Sequence, residues 1–196
     1  IALRDPQLTI DVDGTLWIGS PKDGMLVGIR GDRVVEKVPL PGLVSAAFDA
    51  WNRRWSIIGE RVLAPAGAGD YPMPEGAEPV SMAAVDAKAV WIADSDTRRV
   101  MRIVAGGKID ATAALPAKAE PTKLIATTEG GVWVLDERAP GALHHIAPNG
   151  ALLRTVSLAG QGKSSSRSSS HSDLIGKSAS HSAPPLRHEK SLSALW

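Results

Sequence analysis

Few side chains in this sequence are of the kinds that do chemistry, and they fall into small groups. Acids cluster at Asp94, Asp96, Asp136 and Glu137. Carboxylates in that pattern bind a cation or a basic partner, or simply solvate a loop. An indole and two guanidinium groups meet in Trp51-Asn52-Arg53-Arg54, and Trp and Arg are the side chains that most often anchor protein interfaces. His144 and His145 stand side by side, but neighbours on a strand point to opposite faces and cannot easily share one metal. Arg98, Arg99 and Arg102 form a short basic run. The chain has no cysteine, which excludes a disulfide framework and any thiolate zinc site. No G-x-S-x-G, H-E-x-x-H or P-loop pattern is present, and the Gly-rich AGAGD at 66–70 lacks the Lys-Ser/Thr that cradles phosphate.

The elements that position these groups come from an internal repeat. Four segments align on a tryptophan: IDVDGTLWIGS (10–20), AFDAWNRRWSIIG (47–59), AVDAKAVWIAD (84–94) and ATTEGGVWVLD (126–136). The aligned residues Trp17, Trp55, Trp91 and Trp133 are 38, 36 and 42 apart. An acid precedes each one by four to six positions: Asp11 or Asp13, Asp49, Asp86 and Glu129. Around each tryptophan lie short apolar or β-favouring runs separated by turn signals such as Asp13-Gly14 and Pro148-Asn149-Gly150. The second repeat is the poorest, because AGAGDYPMPEG (66–76) reads as loop where an outer strand belongs. Four short antiparallel strands per ~40 residues is the signature of a β-propeller blade. A plain β-sandwich is the alternative, but it does not account for the tryptophan register.

These residues resemble known repeats. VWIADSDTRRVMRI (90–103) is similar to an NHL-type repeat, and DVDGTLWIGSPKDGM (11–25) resembles the repeat of two-component-regulator propellers. The D-G-x-[LV]-W pattern also resembles streptogramin lyase-like propellers. The resemblance covers residues 8–159 and implies a fold rather than a function. It implies blades at about 8–42, 43–79, 80–120 and 121–160, with the tryptophans packed between blades and the acids in the first hairpin of each. Lyase-like members use a His/Glu/metal arrangement, and no local motif maps those roles onto this chain.

The expected fold class is therefore all-β, a propeller of about four recognisable blades over 1–162, followed by a Ser-rich tail. Residues 164–196 hold 12 of the chain's 18 serines, so 163–196 cannot bury enough apolar surface to order itself alone. Leu186, Leu192, Leu195 and Trp196 are the candidate anchors by which the tail docks on a partner chain. The net charge is +1 on 196 residues, which argues against a dedicated nucleic-acid binder, and no apolar run reaches membrane-spanning length. The chain opens at Ile1 with no signal-like segment, which reads as a processed product or a fragment. About 160 residues make four blades, so part of a larger six- or seven-bladed ring is expected over a closed four-bladed one. A complete fold motif without a catalytic one points to a non-catalytic binding or assembly module, with a protein partner or larger assembly and no cofactor. Its expected binding residues are Trp51, Arg53, Arg54, Asp94, Asp96, Asp136 and Glu137. The alternative is a metal-dependent propeller enzyme of the lyase or lactonase kind.

Overall fold

The computed structural model describes residues 3, 6–65, 68–138 and 140–159. The Ser-rich tail and its candidate anchors lie outside the described residues. Among the described residues sixteen strands form four sheets, each built from four consecutive antiparallel strands. The first blade holds β1 (Gln7–Ile10), β2 (Leu16–Ser20), β3 (Met25–Arg30) and β4 (Arg33–Pro39), with a 3-10 turn at Pro21–Asp23. The second holds β5 (Leu43–Phe48), β6 (Arg54–Ile58), β7 (Arg61–Leu63) and β8 (Asp70–Pro72). The third holds β9 (Pro79–Ala84), β10 (Ala89–Asp94), β11 (Arg99–Val104) and β12 (Lys108–Ala114). The fourth holds β13 (Pro121–Ala126), β14 (Val132–Asp136), β15 (Ala142–Ile146) and β16 (Leu152–Ser157). The stretch that reads as loop in the second repeat forms β8, a strand of three residues. Its small size follows from the Gly and Pro residues around it, which disfavour longer pairing.

Strand alternation sets the packing. β5 alternates buried and half-buried positions, as a strand with one face on a core must, whereas every residue of β10 is buried because both its faces are covered. Apolar clusters then fill the spaces between neighbouring blades. Trp17, Leu26 and Leu43 join blades one and two. Trp55, Ile57, Met82 and Ile92 join blades two and three. Trp91, Ala83, Leu124, Val132 and Val134 join blades three and four. The outer strands β4 and β16 are mostly exposed.

The tryptophan register carries the junctions. Trp55 is fully buried and its Nε1–H donates to the Asp86 carbonyl of the third blade at 2.8 Å. Trp91 is fully buried and donates to the Gly130 carbonyl of the fourth blade at 3.0 Å. Trp17 stacks on Phe48 of the second blade at 4.9 Å, while its N–H turns back to Asp11 Oδ2 at 2.9 Å. At this junction the polar link comes from Asn52, whose side-chain oxygen accepts the Val12 N–H at 2.9 Å and whose amide donates to Asp13. Trp133 differs. It is half-buried, with His145 stacked on its ring at 4.4 Å and the Arg154 guanidinium 5.1 Å from the ring, all within its own blade. Its N–H has no hydrogen-bond partner among the described residues.

Each blade has two ends. The β1–β2, β5–β6, β9–β10 and β13–β14 hairpins lie at one, here termed the hairpin end. The β2–β3, β6–β7, β10–β11 and β14–β15 turns lie at the other, together with the links from each blade to the next, and this is the connector end.

Candidate functional site

At the hairpin end the repeated acids close turns. Asp11 Oδ1 accepts the N–H groups of Asp13 and Thr15, at 3.0 and 2.8 Å. Asp49 Oδ1 accepts those of Trp51 and Arg53, at 2.8 and 3.0 Å. Asp86 does the same for Lys88, and in the fourth blade Thr127 replaces the acid, its hydroxyl accepting from Gly131. Short side-chain acceptors two to four residues upstream are what a tight turn needs. Burial by itself would raise the Asp11 carboxyl, but hydrogen bonds from Trp17, Thr15 and Asp13 hold it below its ordinary value of 3.8.

Trp51 stands out of this turn at 66% exposure. The Arg53 guanidinium lies 4.8 Å over its ring, and Arg53 Nε donates to Asp49 Oδ2 at 2.7 Å. A buried carboxylate thus orients an arginine, which braces an exposed indole. Arg54 begins β6 beside them, and with Arg53 and Asn52 it edges an open pocket of about 480 Å³.

The four acids of the expected rim lie at the opposite, connector end. Asp94 and Asp136 turn inward. Asp94 is fully buried, and its Oδ1 accepts the N–H groups of Glu78, Asp96 and Thr97, while the Thr97 hydroxyl donates to Oδ2. Asp136 accepts from Glu120 and Arg138 in the same way, at 2.8 and 3.0 Å. Each carboxylate ties its own turn to the link entering its blade. Asp96 and Glu137 remain exposed on those turns. The sequence brings the four acids to one end, as the repeat implies. Their chemistry splits, because a carboxylate at the last position of a central strand is the nearest acceptor for amides that would otherwise be buried without one.

His144 is 2% exposed and sits between two partners on its own blade. Its Nε2 lies 3.3 Å from Asp136 Oδ2 and its Nδ1 lies 2.9 Å from the Thr155 hydroxyl. His145 points the other way, onto Trp133. Burial would raise Asp136, but the amides of Glu120 and Arg138 and the neighbouring His144 hold it below its ordinary 3.8. A carboxyl depressed in the folded state contributes stability that is present above its unfolded value and lost as pH falls through the folded one. Acid titration below about pH 4 is therefore expected to destabilise the wild-type chain more steeply than Asp136→Asn, read by thermal melts across that range. Parallel curves would remove Asp136 from the account.

Two features have no counterpart among the expected residues. Lys123, on β13, extends toward the axis between the innermost strands, and its Nζ donates to the Leu8 carbonyl of the first blade at 2.9 Å. Burial lowers its pKa from 10.5. It borders a largely apolar space of about 350 Å³ shared with Leu8, Ile10, Phe48, Met82 and Ile125. The second feature is a pocket of about 380 Å³ at the connector end between blades three and four, lined by Arg98, Lys118, Arg138, Glu120, Ser95 and Thr122 among others. Where the sequence reads as an acidic rim, the charged residues that line the pocket between the two turns are three cations and one acid. Among the described residues no three His, Asp or Glu side chains converge to hold a metal ion. No helix of the described residues is long and apolar enough to cross a membrane.

With this geometry in place, solved structures with the same arrangement stand out. A streptogramin B lyase aligns with a TM-score of 0.61 at 18% identity over 81% of this chain and 56% of its own. The virginiamycin B lyase of Staphylococcus aureus aligns at 0.58 and 17% identity, over 76% of this chain and 54% of its own. The WD40 propeller domain of Doa1 aligns at 0.59 and 13% identity, over 77% and 52%. The fold is a β-propeller of four blades. The chain spans about half the length of these structures. No family model matches the chain, and no curated protein matches it. At such identities the likeness carries the fold alone.

Proposed function

We propose that this propeller is a non-catalytic binding and assembly module, and that its open flank takes a second copy of the same chain. The observation that carries the reading is Trp133. In each of the first three blades the register tryptophan packs against the following blade, and in the second and third it donates to that blade's first hairpin. Trp133 repeats the donor face and, among the described residues, has no such acceptor. Beside it Ile125 of β13, its cross-strand neighbour, is 66% exposed, and across the gap stand Leu8 and Ile10 of β1, exposed by 49% and 64%. The fourth blade thus offers a donor flank and the first blade an acceptor flank. Two copies can satisfy both flanks reciprocally around one two-fold axis, whereas any other head-to-tail number leaves a larger ring or an open filament.

Sedimentation equilibrium on the full chain tests this. A dimer is expected, and Trp133→Glu should convert it to a monomer with its blades intact by circular dichroism. A monomer at every concentration, or a Trp133→Glu variant that still dimerises, would overturn the proposal. Trp51, Arg53 and Arg54, at the hairpin end, remain free in such a ring to engage a further protein, as do Asp96 and Glu137 at the connector end, beside the inward-turned Asp94 and Asp136. The metal-dependent alternative lacks a ligand set among the described residues. A stoichiometric divalent ion in elemental analysis of the purified chain would sink the binding-only reading.

A further inference from the structure

The repeat supplies its own control for finding a site, because each position has counterparts in the other blades. Three departures from the repeat converge on the pocket between blades three and four. The first is Lys118. The link PEGAEP (74–79) aligns residue for residue with PAKAEP (116–121). The hydrogen bonds match as well: Ala77 N–H donates to the Pro74 carbonyl and Ala119 N–H to that of Pro116, at 3.1 and 3.0 Å. Gly76 has φ 73°, and Lys118, in its place, also has φ 73°. Left-handed backbone is strained for a lysine and free for glycine.

Arg98 is the second. It immediately precedes β11 with φ 51°, the position that Gly24 holds before β3 and Gly141 before β15, with φ 58° and 85°. The carbonyl of each accepts an equivalent amide from the chain's return: Leu40 for Gly24, Leu115 for Arg98 and Leu158 for Gly141. Thr122 is the third. It is the extra residue of a β-bulge where β13 slips against β14. Val44 and Val80 occupy the same bulge in the second and third blades and pack on the core. The Thr122 hydroxyl is buried and has no hydrogen-bond partner among the described residues. A valine would fill that site without leaving a polar atom unmade.

Each departure costs stability locally, and all three line one pocket with Arg138. Among the described residues neither Arg98 nor Lys118 has an ion pair or side-chain hydrogen bond, and the one acid in the wall, Glu120, is held by Arg138 at 3.2 Å. Three guanidinium or ammonium groups against one carboxylate leave a net positive wall with an unused hydroxyl. From this convergence we infer that the pocket is a binding subsite for a phosphate group carried by a small ligand. The two arginines offer forked donors and Lys118 a mobile charge, which together suit a doubly charged tetrahedral oxyanion, while the buried Thr122 hydroxyl lies behind them in the same wall. This site is independent of the open flank and goes beyond the assembly reading.

Titration calorimetry on the full chain tests it, with inorganic phosphate, phenyl phosphate and phenylacetate as probes. Phenyl phosphate is expected to bind at low ionic strength, inorganic phosphate more weakly, and phenylacetate at least tenfold more weakly than phenyl phosphate. Lys118→Gly and Arg98→Gly each restore the residue of a sister blade. Each is expected to weaken phenyl phosphate at least tenfold while melting at or above the wild-type temperature. If these residues merely shape the turns, the variants will melt lower and bind as the wild type does. That outcome overturns the inference, as does absence of phosphate binding by the wild type. Equally weak binding of all three probes by the wild type would mark an adventitious ion only, and would overturn it too.

Discussion

Trp91→Ala is expected to destabilise the propeller by about 3–5 kcal/mol, the range for removing a fully buried large aromatic side chain. Trp91 has no exposed surface and sits in the cluster that joins blades three and four, with Ala83, Leu124, Val132 and Val134. Its N–H bond to Gly130 contributes about 1 kcal/mol of that loss, so packing dominates. Small domains are stable by only about 5–15 kcal/mol, and the variant should lose a large part of its margin. Trp133→Ala makes the comparison informative. That ring is half-buried and faces no further blade among the described residues, so its replacement should cost about 1 kcal/mol in the monomer. Urea denaturation of both variants, at concentrations where the chain is monomeric, reads the difference. Equal losses would mean that the register tryptophans do not work by joining blades.

The second large effect is expected at Asp94. Removing its carboxylate in Asp94→Ala leaves the amides of Glu78, Asp96 and Thr97, together with the Thr97 hydroxyl, without their acceptor in a partly buried turn. An orphaned buried donor costs about 1–3 kcal/mol, and orphans sharing one turn are not additive, so about 3 kcal/mol is the expected total. The Arg99 guanidinium, 3.9 Å from Asp94 Oδ2 and 44% exposed, adds little because solvent screens it. Asp94→Asn keeps one oxygen acceptor and should recover most of the loss. Amide exchange at residues 95–98 and at Glu78 gives a local readout, and faster exchange confined to these amides is the expected pattern. If Asp94→Ala and Asp94→Asn lose the same amount, charge rather than amide satisfaction governs the turn.

The fold was legible in the sequence because the repeat carries redundant signals. Trp17, Trp55, Trp91 and Trp133 share a register, and the acids and turn residues between them separate runs too short for helices. Any one of those signals is weak, and their fourfold agreement is not. The site was legible only in part. Asp94 and Asp136 looked like members of an acidic rim because residue type and position along the strand do not reveal where the amides of a neighbouring link will lie. Trp51 stood out as the tryptophan off register, and the structure places it in the open, braced by Arg53. Lys118 and Thr122 were present as departures from sister repeats, Gly76 and Val80. Their meaning depends on a positive φ and an unpaired hydroxyl, which are properties of the backbone and not of residue type. Lys123 gave no signal at all, since a lysine in an apolar strand becomes noteworthy only once the strand is known to face the axis.

Every sheet here is made from four consecutive strands, and among the described residues none borrows a strand from the far end of the chain. The molecule is therefore a linear array in its connectivity, whatever curvature its blades adopt. Most pairings close short loops, which favours rapid local formation. Stability then behaves as a sum over neighbours, with blades one and two joined by the smallest cluster, Trp17, Leu26 and Leu43. Such an array loosens from its weakest end, so the first blade is where unfolding begins. A partner seated on β1 would act as a brace on the whole array, and assembly and folding become one equilibrium.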